Sequence, residues 1–241
     1  MKSIVHCLAA TCLLASVSLA EEASSSGWNY KLTPYAWAAN LDGTIGIGPA
    51  ELTIEEDFGD IVKNISMAAM VRGEAHNGTF GFYADMVFIE LSEDYNVTTG
   101  KAELELDQWM VTLGGLYRVA DSSSLQADVG AGVRLFDTSI DLSVPGFGKA
   151  SRSADWVDPV ITARARMPVA TKCFVVLDGE IGGFGVESDL VWQLTAATGY
   201  HLTDNIDFLL AYRYLDYDYD QDMLVYDLAT SGLALGLTIN F

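Results

Sequence analysis

The last eleven residues, 231–241, constrain the fold more than any other stretch of the chain. They read SGLALGLTINF, in which every second residue from Leu233 to Phe241 is apolar and the residues between them are small or polar. Successive side chains of a β-strand point to opposite faces. The segment therefore predicts a strand with one fully apolar face.

The same alternation recurs earlier in the chain. In 125–135, apolar side chains share one parity, while Gln, Asp, Gly and Arg occupy the other; in 206–214, apolar side chains again share one parity, and Asp207 and Arg213 take the other. A soluble barrel would enclose the apolar set, whereas a transmembrane barrel turns it toward lipid and keeps a polar lumen. The charged parity mixes both signs among small residues, as expected where charges pair inside a narrow lumen. This pattern favours the transmembrane barrel.

Residues 1–20 predict a secretory signal peptide. Lys2 supplies the positive start, 4–14 is an apolar run, and 18–20 (SLA) is a small-x-small cleavage site. Residues 21–27 then form a short lead-in, and 28–241 form a single barrel domain. Export by this route, with the barrel pattern, predicts the outer membrane of a Gram-negative bacterium.

Charge and hydropathy exclude several classes of protein. The chain has 33 acidic and 13 basic residues, for a net charge of −20, which argues against nucleic acid or an anionic lipid surface as a partner. Half of the residues are hydrophobic, yet no run after residue 20 approaches the ~20 apolar residues that a spanning helix needs. Any crossing of a bilayer is therefore made by strands.

Turn signals divide the chain into about ten strands of the ~9–11 residues or more that a tilted span requires. The predicted strands are 28–41, 67–76, 79–92, 103–119, 125–140, 155–167, 173–186, 189–202, 206–219 and 224–241. Asn77-Gly78 marks a tight turn. The segment 42–66 predicts a long polar loop with a short helix near 58–63, and 143–153 predicts a Gly/Pro/Ser loop. Short turns alternate with longer connections, which places both termini on the periplasmic side.

Aromatic residues cluster near predicted strand ends and predict girdles at the two membrane interfaces. One girdle comprises Trp28, Tyr30, Tyr117, Phe174, Tyr200, Phe208 and Phe241, and the other comprises Phe88, Trp109, Trp192, Tyr214 and Tyr226.

Two motifs and the final residue carry a family resemblance. Residues 33–48 (TPYAWAANLDGTIGIG) and 212–219 (YRYLDYDY), with Phe241, resemble uncharacterised proteobacterial outer-membrane β-barrel proteins, small barrels of the OmpA-core-like or porin-like kind. The resemblance implies an all-β, antiparallel up-and-down transmembrane barrel. It also implies Phe241 as a C-terminal assembly signal, with the barrel assembly machinery, outer-membrane lipid and lipopolysaccharide as partners. It carries over no activity.

Charges of the lumen parity form the predicted interior network. The network comprises Asp128, Arg134, Asp158, Arg164, Arg166, Asp178, Glu180, Asp207 and Arg213, and the same parity holds Lys31, Arg72, Glu74, Asp85 and Arg118. An isolated buried charge costs several kcal/mol, so these charges either interlock or line a wet, selective pore. Ten strands lie nearer the eight that fill with side chains than the sixteen that leave a channel, which favours a plugged lumen.

Few residues suggest chemistry. Asp216, Asp218, Asp220 and Asp222 alternate and supply oxygen atoms of the kind that Ca²⁺ prefers. Gln221 stands where an EF-hand loop requires glycine, so a solvated acidic hairpin tip is the alternative. The histidines His76 and His201 fall near the predicted periplasmic ends, away from the cell surface. We therefore expect no catalytic residues, no enzyme and no cofactor.

The sequence predicts a structural or surface-interaction role for a plugged outer-membrane barrel. A narrow porin-like channel for small solutes and a soluble periplasmic ligand-binding barrel are the two alternatives. Neither a ligand nor an oligomeric state follows from the sequence.

Overall fold

The structure, a computed structural model, describes residues 27–59, 65–97, 100–146 and 148–241. The predicted signal peptide lies outside the described residues, as do residues 60–63 of the predicted short helix. The strands are β1 (Asn29–Ile47), β2 (Ala50–Glu56), β3 (Ile65–His76), β4 (Phe80–Val97), β5 (Gly100–Asp121), β6 (Gln126–Val144), β7 (Gly148–Ala170), β8 (Cys173–Gly182), β9 (Leu190–His201), β10 (Ile206–Gln221) and β11 (Leu224–Asn240). Within these described ranges no helix has the length and apolar character to cross a membrane.

Ten of the strands form a closed antiparallel barrel. Each strand from β3 to β11 pairs with its neighbour in sequence, β3 pairs with β1, and β11 closes the ring on β1 from Lys31↔Asn240 to Ile47↔Leu224. The remaining strand, β2, adds to the far part of β1. The predicted ten-stranded transmembrane-type barrel is confirmed.

The two ends of the barrel differ in their connections. The turns β3–β4, β5–β6, β7–β8 and β9–β10 gather at one end, with the first residue of β1 and the last of β11, and we call it the short-turn end. At the opposite, extended end, β4–β7 run far beyond their neighbours. β5 alone has 22 residues, which is about 70 Å of chain. Even when tilted, such a strand reaches roughly twice the height of a ~25 Å apolar band.

Three segments predicted as loops are therefore mostly strand. Residues 42–47 and 50–56 form a hairpin, residues 93–97 and 100–102 lengthen β4 and β5, and 143–153 is the end of the β6–β7 hairpin. The acids in these segments suggested solvated loops, but they alternate with apolar side chains. Ile45, Ile54 and Leu142 all turn inward and are fully buried. The prediction of long loops was wrong because it assumed strands whose apolar side chains point outward to lipid. In these segments the apolar side chains point inward and the acids point outward.

The outer surface changes character along each long strand without a change of register. On β5 the outward side chains Leu113 and Tyr117 are exposed, and further along the same face stand Glu103, Glu105 and Asp107. The change occurs at a similar level on neighbouring strands, since Asp137 pairs with both Trp109 of β5 and Asp155 of β7. We call the strands beyond this level the extended half and the rest the short-turn half.

The interior changes in the opposite sense. In the extended half the inward side chains form a buried apolar core, whereas in the short-turn half they are charged and polar. On β6 the inward series passes from Asp128 and Arg134 to Phe136, Ile140 and Leu142. The short-turn half thus has a membrane protein's cross-section, and the extended half has a water-soluble protein's.

Strand β1 exchanges partners on one of its edges. It pairs with β3 only from Asn29↔His76 to Pro34↔Val71, and with β2 only from Leu41↔Glu56 onward. Pro34 has no N–H to donate to the ladder, which makes it a natural point for the two strands to part. Among the described strands, none pairs with β1 on this edge between Tyr35 and Asn40.

Candidate functional site: the barrel interior

Arg134 is the centre of the most deeply buried ion pair. Its side chain is 1% exposed, and it donates a hydrogen bond to Glu180, whose side chain is 4% exposed. It also donates to the hydroxyl of Thr112, at 2.9 Å. Tyr83 donates to the other carboxylate oxygen of Glu180, at 3.0 Å. Both charges are therefore paired and further hydrogen-bonded by neutral groups, while Nη1 of Arg134 has no hydrogen-bond partner among the described residues.

A second group of ion pairs lies beside the first. Arg164 donates to Glu74 with both terminal nitrogens, at 2.8 and 2.5 Å, and its Nε lies 3.1 Å from Asp178. Arg72 donates to Glu74 at 2.7 Å and lies 3.6 Å from Asp85 and 3.5 Å from Asp178. Four strands, β3, β4, β7 and β8, are thus joined across the lumen.

Arg213 completes this network on the β10 side. It donates to the Tyr35 hydroxyl at 2.7 Å and to the Gln193 side chain at 2.7 Å. Tyr35 in turn donates to Asp85 at 2.8 Å. The Arg213 guanidinium also stacks over the Trp37 ring, 4.6 Å from its centroid.

Two smaller clusters lie nearer the short-turn end. Arg118 donates to Asp128 at 2.5 Å, and His76 lies 3.4 Å from the same carboxylate. His201 and Asp207 share a hydrogen bond of 2.5 Å. Both histidines therefore lie at the short-turn end, where the sequence placed them.

The predicted network residues take two kinds of partner. Arg166 lies over the Phe174 ring, 3.9 Å from its centroid. Asp158 is fully buried, but its carboxylate accepts from Trp156 Nε1 at 3.1 Å and from the Ser188 hydroxyl at 2.6 Å. These contacts hold the β8–β9 connection in place. Each of the other seven predicted residues has an acidic or basic partner of the complementary type within 4 Å.

The interior charges of the short-turn half balance. Seven bases (Lys31, Arg72, Arg118, Arg134, Arg164, Arg166, Arg213) and seven acids (Glu74, Asp85, Asp128, Asp158, Asp178, Glu180, Asp207) make up what we call the ion-pair layer. The chain's net charge of −20 is consequently carried by residues outside this layer.

Sequence reasoning missed the neutral members of the layer. Tyr35, Tyr83, Thr112 and Gln193 all take the lumen parity and hydrogen-bond the charged groups. A Cβ added at Gly114 would lie 2.3 Å from the Tyr83 ring, so the glycine leaves the room that this ring occupies. The signal was available, since Tyr35, Tyr83 and Thr112 alternate in step with Lys31, Asp85 and Arg118. Gln193 shares the parity of His201 on β9.

Two cavities lie at the ion-pair layer, one among its residues and one toward the extended end. A cavity of about 160 Å³ is bordered by residues of the layer itself, from Lys31 and Arg166 nearer the short-turn end to Asp85 and Arg213. Toward the extended end a groove of about 700 Å³ is bordered by apolar side chains, Trp37 and Met110 among them. Tyr35 borders both.

Two of the predicted girdle aromatics are not at the surface. Phe174 and Tyr226 are each 4% exposed and point into the barrel. Tyr226 packs against Phe136, 5.2 Å between centroids, in a cluster that includes Trp156 stacked on Tyr219 at 4.0 Å. Their parity follows the lumen, so strand-end position alone was an insufficient criterion. The pairs Phe88–Trp109 and Trp192–Tyr214 lie on outward faces at 4.5 and 4.7 Å.

The calcium candidates lie on the outer wall of the extended half. Asp216, Asp218 and Asp220 point outward from β10, and Asp222 lies in the β10–β11 turn. Burial first, and then the neighbouring carboxylates led by Asp227, raises the pKa of Asp218 above its ordinary value. Within the described ranges, no group of three or more His, Cys, Asp or Glu side chains is arranged to hold a metal ion.

Phe241 lies at the seam between β11 and β1. Its N–H donates to the Tyr30 carbonyl at 2.9 Å, and its side chain is 41% exposed on the lipid-facing parity of β11.

The fold is that of outer-membrane β-barrel proteins. The structure is similar to the outer membrane protease OmpT of Escherichia coli, with a TM-score of 0.53 and 10% identity over 90% of this chain and 98% of that one. It also matches a major outer membrane protein of Thermus thermophilus (TM-score 0.42, 12% identity, covering 88% and 99%) and Yersinia pestis Ail (0.36, 10%, covering 89% and 99%). Comparisons with protein-family models and with curated proteins find no match.

Proposed function

We propose that this protein is an integral outer-membrane barrel that the ion-pair layer closes to solutes. Its role is structural and surface-directed: the short-turn half anchors in the bilayer and the extended half stands above it. The observation that carries the proposal is the reversal of polarity between the halves. A surface of Leu, Val and Phe is stable against lipid, and a surface of Asp and Glu is stable in water.

The proposal fixes an orientation. Outer-membrane barrels keep short turns in the periplasm and longer elements outside the cell. The outward acids of the extended half, which we call the acidic wall, therefore face the medium; they include Glu103, Glu105, Asp107, Asp216, Asp218 and Asp220. Lipopolysaccharide phosphates at that level are bridged to the outward carboxylates by divalent cations. Phe241, with its exposed ring beside the barrel seam, serves as the signal for the barrel assembly machinery, and residues 1–20 serve for export.

Conductance across a planar lipid bilayer tests the closed interior. The wild-type protein is expected to give no current steps, because paired guanidinium and carboxylate groups cross the lumen between β3–β4 and β7–β8. The double variant Arg164→Ala/Glu74→Ala removes one ion pair without leaving an unpaired charge from that pair, and it should introduce small steps. Wild-type current as large as that of the variant would overturn the proposal in favour of the narrow channel.

Heat-modifiable migration of protein from purified outer membranes tests the location. The unboiled protein should run as a compact band that shifts on boiling. Recovery from the soluble periplasm without such a shift would contradict the membrane placement. The proposal assigns no catalytic activity, and the protease activity in the name of OmpT belongs to that protein.

A further inference from the structure

The partner exchange of β1 leaves a slot in the barrel wall. On one side is the edge of β1 from Tyr35 to Asn40, and on the other is the edge of β3 from Ile65 to Met70, which among the described strands pairs only with β4. Ala36 and Ala38 of this β1 segment pair on their other edge with Leu235 and Leu233. The slot therefore lies at the level of the exposed leucines, next to lipid in the outer leaflet.

Among the described strands, this part of the β1 edge has no pairing partner where it faces lipid. Unpaired backbone groups in hydrocarbon are costly, and irregular backbone at membrane depth is tolerated where it lines a cavity. Three of the β1 residues at the slot's rim are alanines, at 36, 38 and 39. They leave the passage wide where bulky side chains would fill it.

The groove of about 700 Å³ passes through this slot. Its outer border includes Met67 and Leu233, each more than half exposed, and its inner border includes Met70, Leu106 and Met110. This volume falls within the ~300–1,000 Å³ of small-molecule sites. Methionines at both the mouth and the inner wall allow the groove to adapt to a flexible apolar guest.

One buried polar atom in the groove lacks a hydrogen-bond partner in the part of the chain that the structure describes. Trp37 is 8% exposed, and its Nε1 donor makes no hydrogen bond within the described residues. Buried donors are almost always paired. The missing acceptor is supplied if the guest carries an oxygen atom that reaches Trp37.

We propose that the groove binds a single-chain amphiphile, such as a long-chain fatty acid, that enters sideways through the slot from the outer leaflet. The chain lies among the apolar side chains, and its terminal oxygen accepts from Trp37 Nε1. The ion-pair layer closes the groove below, so the guest does not continue through the lumen. This inference rests on the proposed placement in the outer membrane.

Photolabelling in liposomes tests the site directly. The probe is stearic acid carrying a diazirine on its chain, and labelled residues are mapped by mass spectrometry of peptides. We expect labels on the inward residues Met70, Leu106 or Met110, saturable by unlabelled stearic acid. Labels confined to outward residues such as Met67 and Leu233 would overturn the site, as would interior labels made only by a diazirine phospholipid.

A matched pair of variants sharpens the result. Ala39→Phe puts a ring into the groove and should lower interior labelling about tenfold, whereas Ala196→Phe puts the same ring on the lipid-facing side of β9 and should not. Trp37→Phe should lower it roughly 2- to 10-fold, the value of one hydrogen bond. Undiminished labelling in Ala39→Phe and Trp37→Phe would refute the groove as the site.

Folding into a membrane barrel is measured separately from labelling of the groove. Each variant is first checked for heat-modifiable migration, and Val87→Phe replaces Ala39→Phe if the latter fails to give the compact band. A wild-type protein without the band contradicts the proposed membrane barrel itself. A protein with the band and without interior labels contradicts only the amphiphile site.

Discussion

The short-turn half and the extended half are built from the same strands with opposite polarity. Below the level of Asp107 and Asp137, the barrel is apolar outside and ionic inside; above it, the barrel is acidic outside and apolar inside. The inward and outward parities never exchange between the halves of β5 or β6. The comparison teaches that the surrounding medium, not the register, decides which chemistry each parity carries.

Removing one partner of the buried ion pair should have the largest effect. Arg134→Met leaves Glu180 charged and unpaired inside the barrel, and we expect a loss of about 3–5 kcal/mol in the free energy of unfolding. Urea titration of the protein folded into lipid vesicles measures this loss. The double variant Arg134→Met/Glu180→Met should recover most of it. Equal losses in both variants would mean that the interior of the short-turn half does not depend on pairing.

A cavity in the apolar core of the extended half should lower the free energy of unfolding nearly as much as the loss of the ion pair, because packing contacts are lost. Leu142 is fully buried, so Leu142→Ala should lower the free energy of unfolding by about 2–5 kcal/mol. Leu113→Ala, on the lipid-facing side of β5, opens no closed cavity and should cost less. The same urea titration compares them, and a reversed order would contradict an apolar core in the extended half.

A positive charge added to the outer face of β11 should destabilise the protein in the short-turn half but not in the extended half. Leu235 and Asp227 point outward from β11, one in each half. Leu235→Arg should cost about 2–4 kcal/mol if it lies near the bilayer midplane, whereas Asp227→Arg should cost little. Urea titration of both variants in lipid vesicles compares their free energies of unfolding. Equal losses would contradict the placement of Leu235 in the bilayer and Asp227 outside it.

The smallest expected effect concerns the acidic wall. Asp218 stands directly opposite Asp227, so Asp218→Asn should stabilise the protein by about 0.2–1 kcal/mol at neutral pH. Because the folded state raises the pKa of Asp218, it binds this proton more tightly than the unfolded state. Its contribution to stability therefore grows as pH falls through the raised pKa toward 3.8. The wild-type minus variant difference in unfolding free energy should show that trend, and a flat difference would contradict it.

Much of this architecture could be predicted from alternation. The strand number, the antiparallel closure and the inward position of the charged parity all follow from period-2 patterns such as those of β6 and β10. The extended half could not be predicted in the same way. Ile45 and Leu142 alternate with polar residues like any lipid-facing series, and alternation does not reveal which face is enclosed.

Other features depend on contacts that no local pattern encodes. Asp158 bonds to Ser188, thirty residues away, instead of to an arginine. The slot depends on where β3 parts from β1, for which Pro34 within a strand was the single local hint. The groove behind it joins side chains from five or more strands, and their convergence is a property of the closed barrel.

The balanced ion-pair layer also bears on how neighbouring molecules share a membrane. Since its seven bases and seven acids cancel, the net charge of −20 belongs to the rest of the chain, including the acidic wall. Repulsion between such walls fades over about 8 Å at physiological ionic strength. Two copies that meet side by side in the bilayer therefore repel above it at contact distance, and lateral crowding becomes sensitive to the divalent cations in the medium.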